Sequence, residues 1–411
     1  MAFINNDEIM NYVQYVNDYS NIDPTVFEEI GRIMSEESIR NASDEQEPPT
    51  PAEVDDASLV CEILLSAEDT PPFEMQRIVD SAVHLLGSKQ DIVHTTHRTF
   101  EDREEWDLAA MDGHGSTRQQ NPYSGKYEAH NLTLLVIQEM IENGELDEIM
   151  ARDIYSEEDP AFALQKALSR KCVEFKKDMT QVGATFSLIQ IRHDFTTKKI
   201  TVNVLTVGDS PVTIHSNGEK VLQSIEHTWS NSEELDRLRM ENRINRYEEL
   251  KLSSTFKFID SETLVSEPAY YVNVGPCQLA MTQSIGHIQY RQGAPTVVDE
   301  KGVFGLAPFK ATMVFDETDE LVIKGYSDGV SDVVVDYLPE DTEFLKTANA
   351  TQTADYAKMK WEKTWDAVPK NLYDKAIADG LTLADVAKIP MSFGRGADDV
   401  CCVSWTQSKI M

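Results

Sequence analysis

Acidic, glycine-flanked turns close the apolar runs of this chain, and they constrain its fold more than any other feature. Asp112-Gly113-His114-Gly115 follows WDLAAM, Asp328-Gly329 follows ELVIKGYS, and Asp398-Asp399 precedes VCCVSW. Asp112 lies 216 residues from Asp328 and 286 from Asp398. They share one site only if a folded sheet brings strand ends together. Carboxylates gathered that way, beside glycines that leave backbone oxygens accessible, suit hard divalent cations such as Mg²⁺ or Mn²⁺. Metal-assisted hydrolysis is the chemistry such a site implies.

The 411 residues carry 37 Lys and Arg against 71 Asp and Glu, a net charge of −34. Nucleic acid and anionic membrane surfaces repel such a field, so neither is expected as the main partner. Cys61, Cys172, Cys277, Cys401 and Cys402 are odd in number and form no CxxC or Cys/His cluster, so they read as reduced thiols. No apolar run reaches membrane-spanning length, and MAFINNDEIM lacks the basic start and apolar core of a leader. An intracellular, soluble protein, cytoplasmic or nuclear, is the expectation.

Residues 1–75 hold 18 acids and two bases, nearly half the excess charge. We read 1–40 as an acidic helical segment: Asp23-Pro24 forms a helix start, followed by Val26, Phe27, Ile30, Ile33 and Met34 at helical spacing. Residues 41–71, proline-containing and acidic, read as a flexible linker. Residues 72–411 read as one mixed domain. Apolar stripes predict helices over Ala129–Ile149 and Ala161–Phe175. TFSLIQIRHDFTTKKITVNVLTVGDS predicts a hairpin turning at Asp194–Lys199. Further strands are expected at Trp106–Met111, Thr312–Phe315, Leu321–Tyr326 and Val400–Trp405, and a charged surface helix over Ser230–Leu250. Adjacent hairpins favour antiparallel sheets.

Other pieces follow the DGHG turn in a fixed order: Thr185, Gly208-Asp209-Ser210, Ser284-Ile285-Gly286, Ser327-Asp328-Gly329-Val330-Ser331-Asp332 and Ala397-Asp398-Asp399-Val400. Together they resemble the metal-dependent serine/threonine phosphatases of the protein phosphatase 2C (PPM) family over about residues 80–407. The resemblance implies an α+β fold, a β-sandwich of two mainly antiparallel sheets flanked by helices in α-β-β-α layers. It implies hydrolysis of phosphoserine and phosphothreonine on phosphoprotein substrates by water activated between two Mg²⁺ or Mn²⁺ ions. Asp112 resembles the bridging carboxylate, with the Gly113 carbonyl as another ligand. Asp328 and Asp398 resemble the remaining ligands of the first ion, and Asp332 a ligand of a further one. Lys89-Gln90-Asp91 matches a pair preceding the DGHG turn, so Asp91 would hold water around the ions. His114 would protonate the departing oxygen as general acid. Gly208-Asp209-Ser210 reads as a structural turn.

Three positions depart from the family pattern. An arginine that clamps the substrate phosphate is here Leu86, leaving Lys89 as a point-charge substitute. His287 stands where an aspartate would help bind a third ion, which puts that site in doubt. Asp399 replaces an asparagine, read as a milder change. These departures motivate an alternative: a catalytically weak pseudophosphatase acting as a protein-binding module. The intact acids oppose it. Residues 228–256 fall where the family carries a variable flap, expected to shape substrate choice. The acidic N-terminal segment reads as a solvated arm able to hold a basic protein partner.

Overall fold

The structure, a computed structural model, describes residues 74–240, 251–258, 264–274, 277–290, 305–335, 337–363 and 397–410. The acidic segment and linker expected at 1–71 lie outside the described residues.

Two five-stranded sheets, antiparallel throughout, form the scaffold. One runs in the order Met75–His84, Val400–Lys409, Leu321–Tyr326, Val212–Ser216, Glu219–Gln223. The other runs Phe309–Asp316, Lys199–Val207, Phe186–Asp194, Arg103–Met111, Ile92–Thr99. Side-chain alternation assigns each strand two faces. Leu108 and Ala110 meet Val212, Ile214, Ile323, Cys401, Val403 and Trp405 in the core between the sheets. Ala109 and Met111, one residue out of phase, face helices Leu132–Glu142 and Pro160–Phe175 in a second core. Val400 and Cys402, out of phase with Cys401 and Val403, join Tyr326 in a third core under helices Asp328–Ser331, Pro339–Thr347 and 350–363. The layers are α-β-β-α, as expected.

The Asp194–Lys199 hairpin and the four further strands form as read: Leu321–Tyr326 matches, Arg103–Met111 starts earlier, Val400–Lys409 runs further, and Phe309–Asp316 is longer at both ends. The helix expected over Ala129–Ile149 is two helices, Leu132–Glu142 and Glu145–Met150. Gly144 breaks it at φ 80°, a left-handed turn that glycine adopts at no steric cost. The Ser230–Leu250 helix spans Ser232–Met240, with 241–250 outside the described residues. It is not wholly superficial, because Leu235 and Leu238 are buried. Residues of the expected flap also form strand Lys251–Phe258, paired with Leu264–Val274. Cys172, Cys401 and Cys402 are buried free thiols, as the cysteine count implies.

Candidate metal centre

The acidic turns converge where strand ends of both sheets meet. Asp112 ends strand Arg103–Met111, Asp328 follows Leu321–Tyr326, and Asp398 precedes Val400–Lys409. The first sheet pairs Leu321–Tyr326 with Val400–Lys409 directly, Tyr326 opposite Cys402. Asp328 and Asp398 are therefore neighbours despite their separation in sequence. Strand Arg103–Met111 approaches from the facing sheet, where Met111 pairs with Ile92. That pairing also brings in Asp91, the residue just before Ile92.

Small residues make the approach possible. A Cβ on Gly113 would sit 2.2 Å from Leu134 Cδ1 and 2.6 Å from the Gln90 carbonyl oxygen. One on Gly329 would sit 1.9 Å from the Asp399 carbonyl oxygen. Hydrogen bonds fix the turns. The Asp112 amide donates to Thr185 Oγ1 (2.9 Å), and the Thr185 amide donates back to the Asp112 carbonyl (2.8 Å). Asn131 Nδ2 faces three acceptors, Gln90 Oε1, the His114 carbonyl and the Gly183 carbonyl, at 2.8 to 3.1 Å.

Burial and mutual repulsion govern the electrostatics. Asp91, Asp112 and Asp209 are buried, whereas Asp328, Asp332 and Asp398 are half-buried at the open side. Burial raises Asp91 to about 7, with Asp398 adding repulsion. Burial and the neighbouring carboxylate Asp209 raise Asp328 to about 7. Burial and Asp328 raise Asp398 to about 8. Asp112 and Asp332 are pushed well above the carboxylate range, first by burial and then by Asp328. Both oxygens of Asp91, Oδ1 of Asp209 and Oδ1 of Asp328 are shielded from solvent without a hydrogen-bond partner. Buried anions left unsatisfied are costly unless a cation compensates them. This all-oxygen donor set fits Mg²⁺ or Mn²⁺. Among the described residues no three Asp, Glu, His or Cys side chains already close around one point, so the carboxylates share a cleft without meeting at a single centre.

Two members were missed in the sequence. Asp209, read as part of a structural turn, is raised to about 7 by burial and then by Glu226, and it repels Asp328 and Asp332. Glu226 reaches Asp332 as well. The sheet order supplies the reason: Val212–Ser216 pairs with Leu321–Tyr326, which sets the 208–210 turn beside the 327–329 turn. The Gly-Asp-Ser turn after an apolar strand was the available signal.

His114 lies at the edge of the cluster. Its Nε2 is 2.9 Å from both His287 Nε2 and Ser284 Oγ, and the two imidazoles stack. His287 Nδ1 lies 2.7 Å from the Thr180 carbonyl, so it carries the proton. His287 Nε2 is then the acceptor, and His114 Nε2 the donor. Burial, then His287, lowers the His114 pKa well below 6.5, and burial lowers His287 to about 4. With both ring nitrogens engaged, His287 serves His114 and is not free to replace the missing aspartate. Leu86, where the arginine would be, packs against the third core. Lys89 is exposed at φ 63°, at the tip of a turn gripped by Asp399. Asp399 accepts from the Gly87 amide (2.7 Å), Ser88 Oγ (2.9 Å) and the Gln90 amide (2.7 Å). Asp399 is thus an anchor for the strand carrying Asp91, more than the mild replacement its sequence position indicated.

The family model of protein phosphatase 2C matches residues 84–338. The chain belongs to the protein phosphatase 2C family. That family is one of metal-dependent serine/threonine phosphatases. No curated protein matches the chain significantly in sequence. Among solved structures, the chain is similar to a C. elegans sex determining protein (16% identity, 81% of this chain, 64% of that one, TM-score 0.37). It is also similar to the S. agalactiae serine/threonine phosphatase (14%, 81% and 99%, TM-score 0.35). The Mycobacterium tuberculosis serine/threonine phosphatase PstP/Ppp is comparable (14%, 81% and 98%, TM-score 0.35). The chain therefore spans less than two thirds of the first of these. Such distant likenesses transfer no substrate and no partner.

Proposed function

We propose that this protein phosphatase 2C family member hydrolyses phosphoserine and phosphothreonine in proteins, using two divalent cations held by its carboxylate cluster. The observation that carries this reading is the set of buried, unpartnered oxygens on Asp91, Asp209 and Asp328, converging with Asp112 and Asp398 at one strand-end cleft. Asp112, the Gly113 carbonyl, Asp328 and Asp398 would hold the ions, with Asp91 and Asp209 behind them and Asp332 at the open side. Bound there, Mg²⁺ or Mn²⁺ would acidify water to near neutral pH and offset the phosphate charge.

The chain's own residues supply the rest. His114 keeps its Nε2 proton between Ser284 Oγ and His287 Nε2. The proton it would give the departing serine or threonine oxygen is one taken up at the unpartnered Nδ1 to form the imidazolium, which returns to the neutral ring on giving it up. His287, locked by Thr180, keeps that tautomer in place. Lys89 receives the substrate phosphate in place of the absent arginine, as a single point charge rather than a bidentate clamp. Weak phosphate capture follows, so KM is expected to be high before kcat is low.

The test is phosphate release from phosphoserine, phosphothreonine and phosphotyrosine peptides with Mn²⁺, Mg²⁺ or EDTA. Metal-dependent release from the first two supports the reading. A folded protein that binds metal but turns over none of them would favour the binding-module alternative, which the apolar packing of Leu86 motivates.

A further inference from the structure

Beside the carboxylate cluster, the outer face of the first sheet carries a polar patch where apolar packing is expected. Thr213 and His215 alternate onto one face of strand Val212–Ser216, and Thr213 pairs with Lys324 on the next strand. Thr213 and His215 are 3% and 4% exposed, and Thr213 Oγ1 and His215 Nδ1 have no hydrogen-bond partner. Unsatisfied buried polar groups are rare enough in native folds to require a reason. Both residues line a cavity of about 350 Å³ between this sheet and the helix Pro339–Thr347, within the size range of small-molecule sites.

Among the described lining residues the cations outnumber the carboxylates, against the charge of the molecule. Lys220 and Lys346 line the cavity, with Glu226 the one carboxylate among the described lining residues. Burial, then Lys324, Lys220 and Lys346, lowers His215 to about 4, so three ammonium groups act on one neutral imidazole. Lys220 donates to Gln223 Oε1 among its contacts, and Lys346 donates to Glu343 Oε1, both hydrogen bonds at the surface. An exposed ion pair such as Lys346 with Glu343 contributes little. Convergent cations on a chain of charge −34 make a local field that attracts anions.

We propose that this cavity is a binding site for a small organic anion with a phosphate or carboxylate headgroup. The headgroup sits between Lys220 and Lys346, and Thr213 Oγ1 and His215 Nδ1 supply the hydrogen-bonding groups at the base. Ser331, on the same wall, adjoins Asp332, so the site abuts the carboxylate cluster without sharing its acids' role.

The test follows the histidine ring signals of the full chain, freed of metal on a chelating resin, by NMR. Inorganic phosphate and acetate are titrated separately, and the His215 signals are assigned from H215N. Saturable shifts of His215 with either probe, weakened at least tenfold in the K220Q/K346Q variant, support the proposal, and the effective probe identifies the headgroup. Both lysines lie at the surface, so the variant is expected to keep its thermal midpoint. His215 signals that stay fixed with both probes, or that shift equally in the variant, would overturn the proposal. Neither readout depends on turnover, so the phosphatase reading can fail while this one stands.

Discussion

Replacing Asp328 with asparagine should stabilise the metal-free protein and destabilise the metal-loaded one. Burial and Asp209 raise Asp328 from 3.8 to about 7. A raised carboxylate pKa means the folded state binds more protons than the unfolded state. Its penalty is absent below about pH 4, grows through pH 4 to 7, and is full above 7. Three units correspond to about 4 kcal/mol, an upper bound, because Asp112 and Asp398 re-ionise when their neighbour is neutralised. A net gain of about 2 kcal/mol in metal-free protein at pH 8 is the expectation, falling below about 1 kcal/mol at pH 5. In saturating Mn²⁺ the sign reverses, since the wild type gains binding energy that the variant forfeits. Thermal unfolding followed by circular dichroism, at both pH values with and without metal, reads all four cases. A variant destabilised in metal-free buffer, or one whose effect is the same at pH 5 and pH 8, would refute the charge-repulsion account.

Three further outcomes are expected. Asp399→Ala removes three hydrogen bonds to residues 87–90; it should cost about 3 kcal/mol in chemical denaturation and loosen Mn²⁺ binding measured by calorimetry, because Asp91 sits on the released strand. His287→Ala removes the acceptor that holds the His114 Nε2 proton, so the alkaline limb of the kcat–pH profile should move to lower pH while KM stays within twofold. Lys89→Ala should raise KM for a phosphothreonine peptide several-fold with little change in kcat, whereas Lys89→Arg should lower it, a planar donor restoring part of the missing clamp.

Sequence pattern revealed what local chemistry controls. The hairpin at Asp194–Lys199 and strand Leu321–Tyr326 were readable because alternation and turn residues act over a few positions. Strand Ile92–Thr99, IVHTTHRT, escaped because it is an edge strand, half-buried along much of its length, so its apolar signal is diluted. The DGHG, SDGxxD and terminal Asp turns disclosed the carboxylate cluster through their order. Asp209, Glu226 and the pairing of His114 with His287 did not follow from spacing. The two histidines are 173 residues apart, and strands Arg103–Met111, Phe186–Asp194 and Val212–Ser216 must be placed before any of these contacts exists. The anion cavity was hidden for the same reason, since Thr213, Lys220 and Lys346 become neighbours only across strand pairing and a covering helix.

The most direct test of the central claim is anomalous diffraction from crystals of the full chain grown with Mn²⁺. Two peaks are predicted in the strand-end cleft, with Asp112 between them and Asp328 and Asp398 against one. Fully occupied crystals with no peak among these three carboxylates, or with manganese held only elsewhere, would contradict the account.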